Sequence, residues 1–180
     1  MQVDVERDRK RKNIFIGVFM VLLLVVAPIG YSLFSGDGNE DDGVSELGVD
    51  FLRDGGLWKI VFDDAVFGFQ YLPSEVDDVA VSGVYDIGEY VDEILYFVDA
   101  NEGASEVLNN LGRYVLRYQD ACLNGTVCEG DFPIKGCDSN LIIFEDGNES
   151  MVWRNESCVY IVGDGVRGAD AFLYKALKIT

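Results

Sequence analysis

Few residues of this 180-residue chain have side chains and spacings suited to chemistry. Three of its four cysteines fall in ACLNGTVCEGDFPIKGC, residues 121–137, and the fourth is Cys158. Thiols in such a stretch serve as metal ligands, as nucleophiles or as disulfides. The spacing of Cys122, Cys128, Cys137 and Cys158 fits no zinc motif, and the chain has no histidine to complete one. The missing histidine also removes the commonest general base. No G-x-S-x-G, H-E-x-x-H or P-loop sequence occurs. Ser82 and Ser105 have no imidazole to activate them. These residues predict no catalytic group, no metal centre and no cofactor, and the balance is against an enzyme.

One carboxylate stands apart. Asp99 ends the apolar run ILYFVDA, residues 94–100, and precedes a helical pattern. Ligands of open α/β sheets gather at the carboxyl ends of strands. Asp99 with Glu102 could hold a divalent cation, and the helix start after DANEGAS could take an anion. The plainer role for either acid is solvated or helix-capping. The segment DGNEDDG lacks the sixth-position glycine and the twelfth-position glutamate of a calcium loop, and reads as a spacer. Three N-x-S/T sequons, at Asn124, Asn148 and Asn155, lie in turn-like stretches and are candidate glycosylation sites.

The fate of the thiols depends on the compartment, and the N-terminus sets it. Residues 1–13 carry the basic cluster RDRKRKN and a net charge of +2, within a chain whose net charge is −18. The uncharged run IFIGVFMVLLLVVAPIGYSLF follows, residues 14–34. As a helix it spans about 31 Å, the thickness of a bilayer's hydrocarbon core. Acidic SGDGNEDDG comes next. The positive-inside rule then predicts a single-pass signal anchor with a cytoplasmic N-terminus, an acidic flexible linker over 35–49, and an extracytoplasmic domain over 50–180. The run is longer than a usual signal-peptide core, and no A-x-A cleavage site follows it. Outside the cytoplasm, four cysteines read as two disulfides. The acidic surface repels nucleic acid, so the expected partners are the bilayer, through 14–34, and a protein at the membrane surface.

Hydrophobic periodicity supplies the elements. LWKIVFDDAVFGFQYL, residues 57–72, alternates and predicts a hairpin with a four-residue loop, pairing Phe62 with Phe67, Ile60 with Phe69 and Trp58 with Tyr71. Residues 74–92 leave a short edge strand and a helical turn unplaced. ILYFVDA reads as a strand covered on both faces. Val107, Leu108, Leu111, Tyr114, Val115 and Tyr118 form one helical stripe, weakened at Gly112. LIIFE, MVWR and CVYIVG predict a three-strand meander, and RGADAFLYKAL a closing amphipathic helix. The fold class is α/β: a two-layer sandwich in which two helices cover a mixed sheet, preceded by one transmembrane helix. In the meander the first and third strands start at one edge, which favours Cys137–Cys158. Cys122 and Cys128 bracket a short loop and can close on each other.

The stretch CDSNLIIFEDGNESMVWRNESCVYIVGD followed by ADAFLYKAL resembles the C-terminal ends of single-pass archaeal membrane proteins. The resemblance covers about the last third of the chain, together with the anchor-and-linker layout, and carries no catalytic motif. The archaeal origin that this resemblance implies agrees with the acidity and the sequons, and the group it points to is uncharacterised, with no activity to carry over. The expected function is a non-enzymatic interaction or accessory subunit at the cell surface. Two alternatives stand beside it: a small-molecule or cation-binding domain or enzyme using Asp99, and a pilin-like filament subunit. The last lacks a small residue at the basic-to-apolar junction, where Asn13 stands.

Overall fold

The computed structural model describes residues 43–179 apart from Asp63. The expected cytoplasmic segment and the expected membrane span at 14–34 lie outside the described residues. Among those described, no helix is long and apolar enough to cross a membrane.

Folding begins earlier than the sequence indicates. The expected linker over 35–49 gives way at Gly43 to a strand, so the folded domain starts before residue 50. Strands β1 (Gly43–Glu46), β2 (Val49–Asp54), β3 (Leu57–Phe62) and β4 (Ala65–Phe69) form an antiparallel sheet in chain order. Each connection is two residues long. The first two use left-handed backbone throughout, at Leu47 and Gly48 (φ 53° and 78°) and at Gly55 and Gly56 (φ 63° and 85°). Such turns match the twist of the strands they join. The third turns at Asp64, at φ 61°.

This tight turn corrects the expected register. Phe62 pairs with Ala65, Ile60 with Phe67 and Trp58 with Phe69. The slip is two residues, so each side chain keeps its face. Trp58, Ile60, Phe67 and Phe69 are buried, whereas Phe62, at the turn, is 43% exposed. Tyr71 leaves the ladder and meets the helices instead.

The second sheet has six strands in the order β5-β11-β12-β10-β6-β7. They are β5 (Ala80–Ser82), β6 (Ile94–Val98), β7 (Arg117–Asp120), β10 (Asn140–Glu145), β11 (Met151–Asn155) and β12 (Cys158–Val162). β10 lies parallel to β6. Two features differ from expectation. The helical stripe stops early: helix α1 covers Glu102–Leu111, and Arg117–Asp120 becomes β7, parallel to β6. The helix ends at Gly112, itself still in right-handed helical backbone, and strand pairing captures the chain beyond it. Asp92 N–H donates to the Tyr114 carbonyl, and Leu116 N–H donates to that of Glu93. The expected meander is also reordered, because β12 lies between β10 and β11, parallel to β10. β10 and β12 still start at one end, where Leu141 faces Cys158.

Helix α2 (Gly165–Ala176) starts at Asp164, whose Oδ1 accepts from the N–H groups of Val166 and Arg167. Eight of its twelve residues are buried, the mark of a helix enclosed on more than one side. On one side, Gly103 of α1 packs on Phe144 and Gly168 of α2 packs on Ile161; a methyl group at either would collide there. On the other side, Tyr174 stacks on Phe69 with ring centroids 4.3 Å apart and meets Phe51 edge-on. The two helices therefore cover the mixed sheet, as expected, and the four-stranded sheet adds a third layer over them. The opposite face of the six-stranded sheet buries Tyr96, Val98, Leu141, Ile143 and Tyr160 beneath Ala121, Leu123 and Cys137 of the cysteine segment. This explains why β6 is apolar throughout.

That segment is stapled twice. Cys122 is bonded to Cys128 and Cys137 to Cys158. Between them, β8 (Cys122–Leu123) pairs with β9 (Ile134–Lys135). Two disulfides fit an oxidising compartment.

Candidate functional site

Asp99 directly follows β6 in left-handed backbone (φ 52°) and is exposed. It borders a hollow of about 420 Å³ that also takes in Asp120, Glu129, Val127 and Phe132. A second hollow, of about 530 Å³, joins Asp99 to Asn101, Glu145 and Asp146. Glu102 lies exposed in the first turn of α1 and lines neither hollow. The cap is Asn101, whose Oδ1 accepts the Gly103 N–H at 2.9 Å. No cluster of three or more Cys, Asp or Glu side chains suited to a metal occurs among the described residues. Asn124, Asn148 and Asn155 are all exposed. Asn155 closes β11 just before the two-residue turn to Cys158.

The most unusual chemistry is elsewhere, at residues the sequence did not single out. Glu106 of α1 and Asp170 of α2 are 2% and 0% exposed, and Asn110, one turn after Glu106, is 0% exposed. Asp and Glu are almost never buried to this degree unless paired. They face the outer edge of β4, which has no neighbouring strand. An edge strand presents unpaired N–H and C=O groups, and here helix side chains take their place. Gly68 N–H donates to Asn110 Oδ1 at 2.9 Å, and Asn110 Nδ2 donates back to the Gly68 carbonyl at 2.8 Å. Asp170 Oδ2 accepts from the N–H groups of Gln70 and Tyr71 at 3.0 and 2.9 Å. The Tyr174 hydroxyl donates to the Tyr71 carbonyl at 2.6 Å, and Arg113 donates to that of Val66 at 2.6 Å. Gln70 Nε2 reaches Glu106 Oε2 at 3.3 Å.

One oxygen on each acid, Glu106 Oε1 and Asp170 Oδ1, is buried with no N–H partner. Both acids bond to Gln70, Asp170 through the backbone N–H and Glu106 through the side-chain amide, so the two carboxyl groups share one buried space. Two ionised carboxylates cannot share a dry site, so the pair retains a proton. Desolvation first, then the neighbouring charge of Glu106, push Asp170 up to about 9, and desolvation raises Glu106 as well. The Tyr174 phenol is driven far above its ordinary range, chiefly by burial. The site can hold and release a proton. None of the hollows lined by Asp99, Arg154 or Lys175 is lined by either carboxyl, so a substrate in them does not meet the pair.

The sequence carried one faint signal for this pair. Asp170 interrupts the apolar run GADAFLYKAL, at a position that only a helix enclosed on two sides would bury. Glu106 looked like an ordinary surface acid beside the Val107 and Leu111 stripe.

The solvent face of the four-stranded sheet carries aliphatic side chains. Leu52, Val61 and Val66 are 55%, 71% and 46% exposed, and Val61 and Val66 are cross-strand partners. Leu57 covers Gly68, and the Lys59–Asp54 ion pair, at 2.5 Å, crosses the same face.

Compared with family models, curated proteins and solved structures, the chain finds no match.

Proposed function

We propose that the chain is a membrane-tethered, extracytoplasmic interaction domain, an accessory subunit that docks a protein partner through the solvent face of its four-stranded sheet. The observation that carries this reading is the row Leu52, Val61 and Val66, exposed on an otherwise acidic molecule. Clustered exposed aliphatics on a folded surface mark contact sites. The uncharged run at 14–34 and the basic cluster before it support a single-pass anchor with its N-terminus in the cytoplasm. The two disulfides agree with placement of the domain outside. Exposure of Asn124, Asn148 and Asn155 suits N-glycans there.

The test is a photo-crosslinking residue at Val61 or Val66 in cells, with a control at Val84, which is 82% exposed on another part of the domain. The expected result is one discrete protein adduct from the sheet positions only, lost on Leu52→Asp. A chain that gives no adduct at Val61 or Val66 in its native membrane overturns the reading.

A second reading rests on the hollows beside Asp99, where a small polar ligand could sit at the end of β6. It requires that Asp99→Asn remove ligand-induced thermal stabilisation.

A further inference from the structure

We propose that Glu106 and Asp170 form a proton-held latch between the four-stranded sheet and the two helices, which loosens the β4 edge when the shared proton is lost in alkaline surroundings. The latch stands on the hydrogen-bond geometry and does not depend on the docking reading.

Each part of the geometry is needed. Asp170 Oδ2 accepts from two successive N–H groups of the chain after β4, those of Gln70 and Tyr71. Its second oxygen is buried with no N–H donor, and so is Glu106 Oε1. A single proton between the two acids makes both oxygens compatible; without it, two charges share a buried space. The surroundings offer no relief. From α1 and α2 the pair meets Asn110 and Tyr174, both already bonded to the β4 segment. From the chain after β4 it meets the neutral amide of Gln70. Further negative charge surrounds Tyr174, from Glu46 of β1 and Glu75, which act on its phenol alongside the pair. Two cations flank this edge, and neither bonds to the pair: Arg167 lies over Tyr71 with its guanidinium 5.6 Å from the ring centroid and pairs with Asp78, and Arg113 donates to the Val66 carbonyl. Proton loss therefore leaves repulsion with no counter-charge, and it acts where the layer is fastened.

A one-proton difference between the closed and opened forms changes the opening constant by up to about tenfold per pH unit. The experiment is hydrogen–deuterium exchange on the full chain in detergent micelles, from about pH 6 to about pH 9.5, corrected for the intrinsic pH dependence of exchange. Protection over residues 66–72 is expected to fall by about tenfold or more across this range, while protection over 141–145 in β10 holds. Glu106→Gln, whose amide can donate to Asp170 Oδ1, is expected to abolish the fall. Equal protection over 66–72 at both ends of the range, or an unchanged fall in Glu106→Gln, overturns the latch. Should Glu106→Gln fail to fold, carboxyl ¹³C titration of the wild type decides. One aspartate still protonated at neutral pH sustains the latch, and ordinary titration of every carboxyl overturns it.

Discussion

Asn110 grips Gly68 at both of its backbone polar groups, accepting from its N–H at 2.9 Å and donating to its carbonyl at 2.8 Å. A side-chain amide thereby mimics one residue of a neighbouring strand. It does so from α1, so the edge of β4 is closed by a helix.

Removing that mimic leaves a donor and an acceptor of Gly68 without partners. Asn110→Ala is expected to destabilise by about 2–3 kcal/mol. Asn110→Asp is expected to fare worse as pH rises, because it adds a carboxylate beside Glu106. Urea unfolding monitored by circular dichroism measures both.

The shared proton fixes the sign of the pH dependence. In the unfolded chain both acids titrate near the ordinary ~4. Folded, the pair keeps a proton, and Asp170 lies near 9. The native state thus binds more protons across that window, so the pair's contribution to stability is fully present below about pH 4 and is lost as pH rises through about 9. The expected slope is at most about 1.4 kcal/mol per pH unit, measured as urea midpoints from acid to alkaline pH. Glu106→Gln should flatten it. Asp170→Ala, which leaves the Gln70 and Tyr71 N–H groups unpaired, should be destabilised at every pH.

Much of this arrangement could be anticipated from the sequence, and its limits have physical causes. The continuous apolar run of β6, the stripe of α2 and the two disulfide pairings depend on local spacing or on which end of a sheet a strand begins. Those survive even where the neighbour order is wrong, as with β12 lying between β10 and β11. The strand RYQD, β7, has no alternation to reveal it, because it is an edge strand held by backbone bonds to β6. The β3–β4 register missed by two residues, since both registers bury the same faces and only the turn geometry separates them. Glu106 and Asp170 escaped notice because burial of an acid depends on a third layer that no local pattern encodes.

Close packing of the helix starts gives a further test. A Cβ on Gly103 would collide with the Gly165 carbonyl and the Phe144 ring. Gly103→Ala, normally favourable inside a helix, is expected to cost about 1–3 kcal/mol here. Thermal unfolding should show a lower midpoint.

The two disulfides should differ in weight. Loop-closure entropy predicts about 3 kcal/mol from Cys137–Cys158, whose partners are 21 residues apart. Cys122–Cys128, closing 6 residues, should contribute about 2 kcal/mol. Paired Cys→Ser substitutions compared by urea unfolding measure each one.

The position of β1 has a mechanical consequence. The chain enters the domain at Gly43, and β1 pairs only with β2, over four residues at the margin of its sheet. A force applied from the N-terminal side of the chain therefore loads those pairs before any others. Beyond them, the four-stranded sheet has no covalent bond to the remainder except its own chain, whereas the neighbouring ends of β10 and β12 are linked by Cys137–Cys158. Under load the molecule should yield from its N-terminal margin inward, shedding the aliphatic face while the disulfide-linked sheet stays intact.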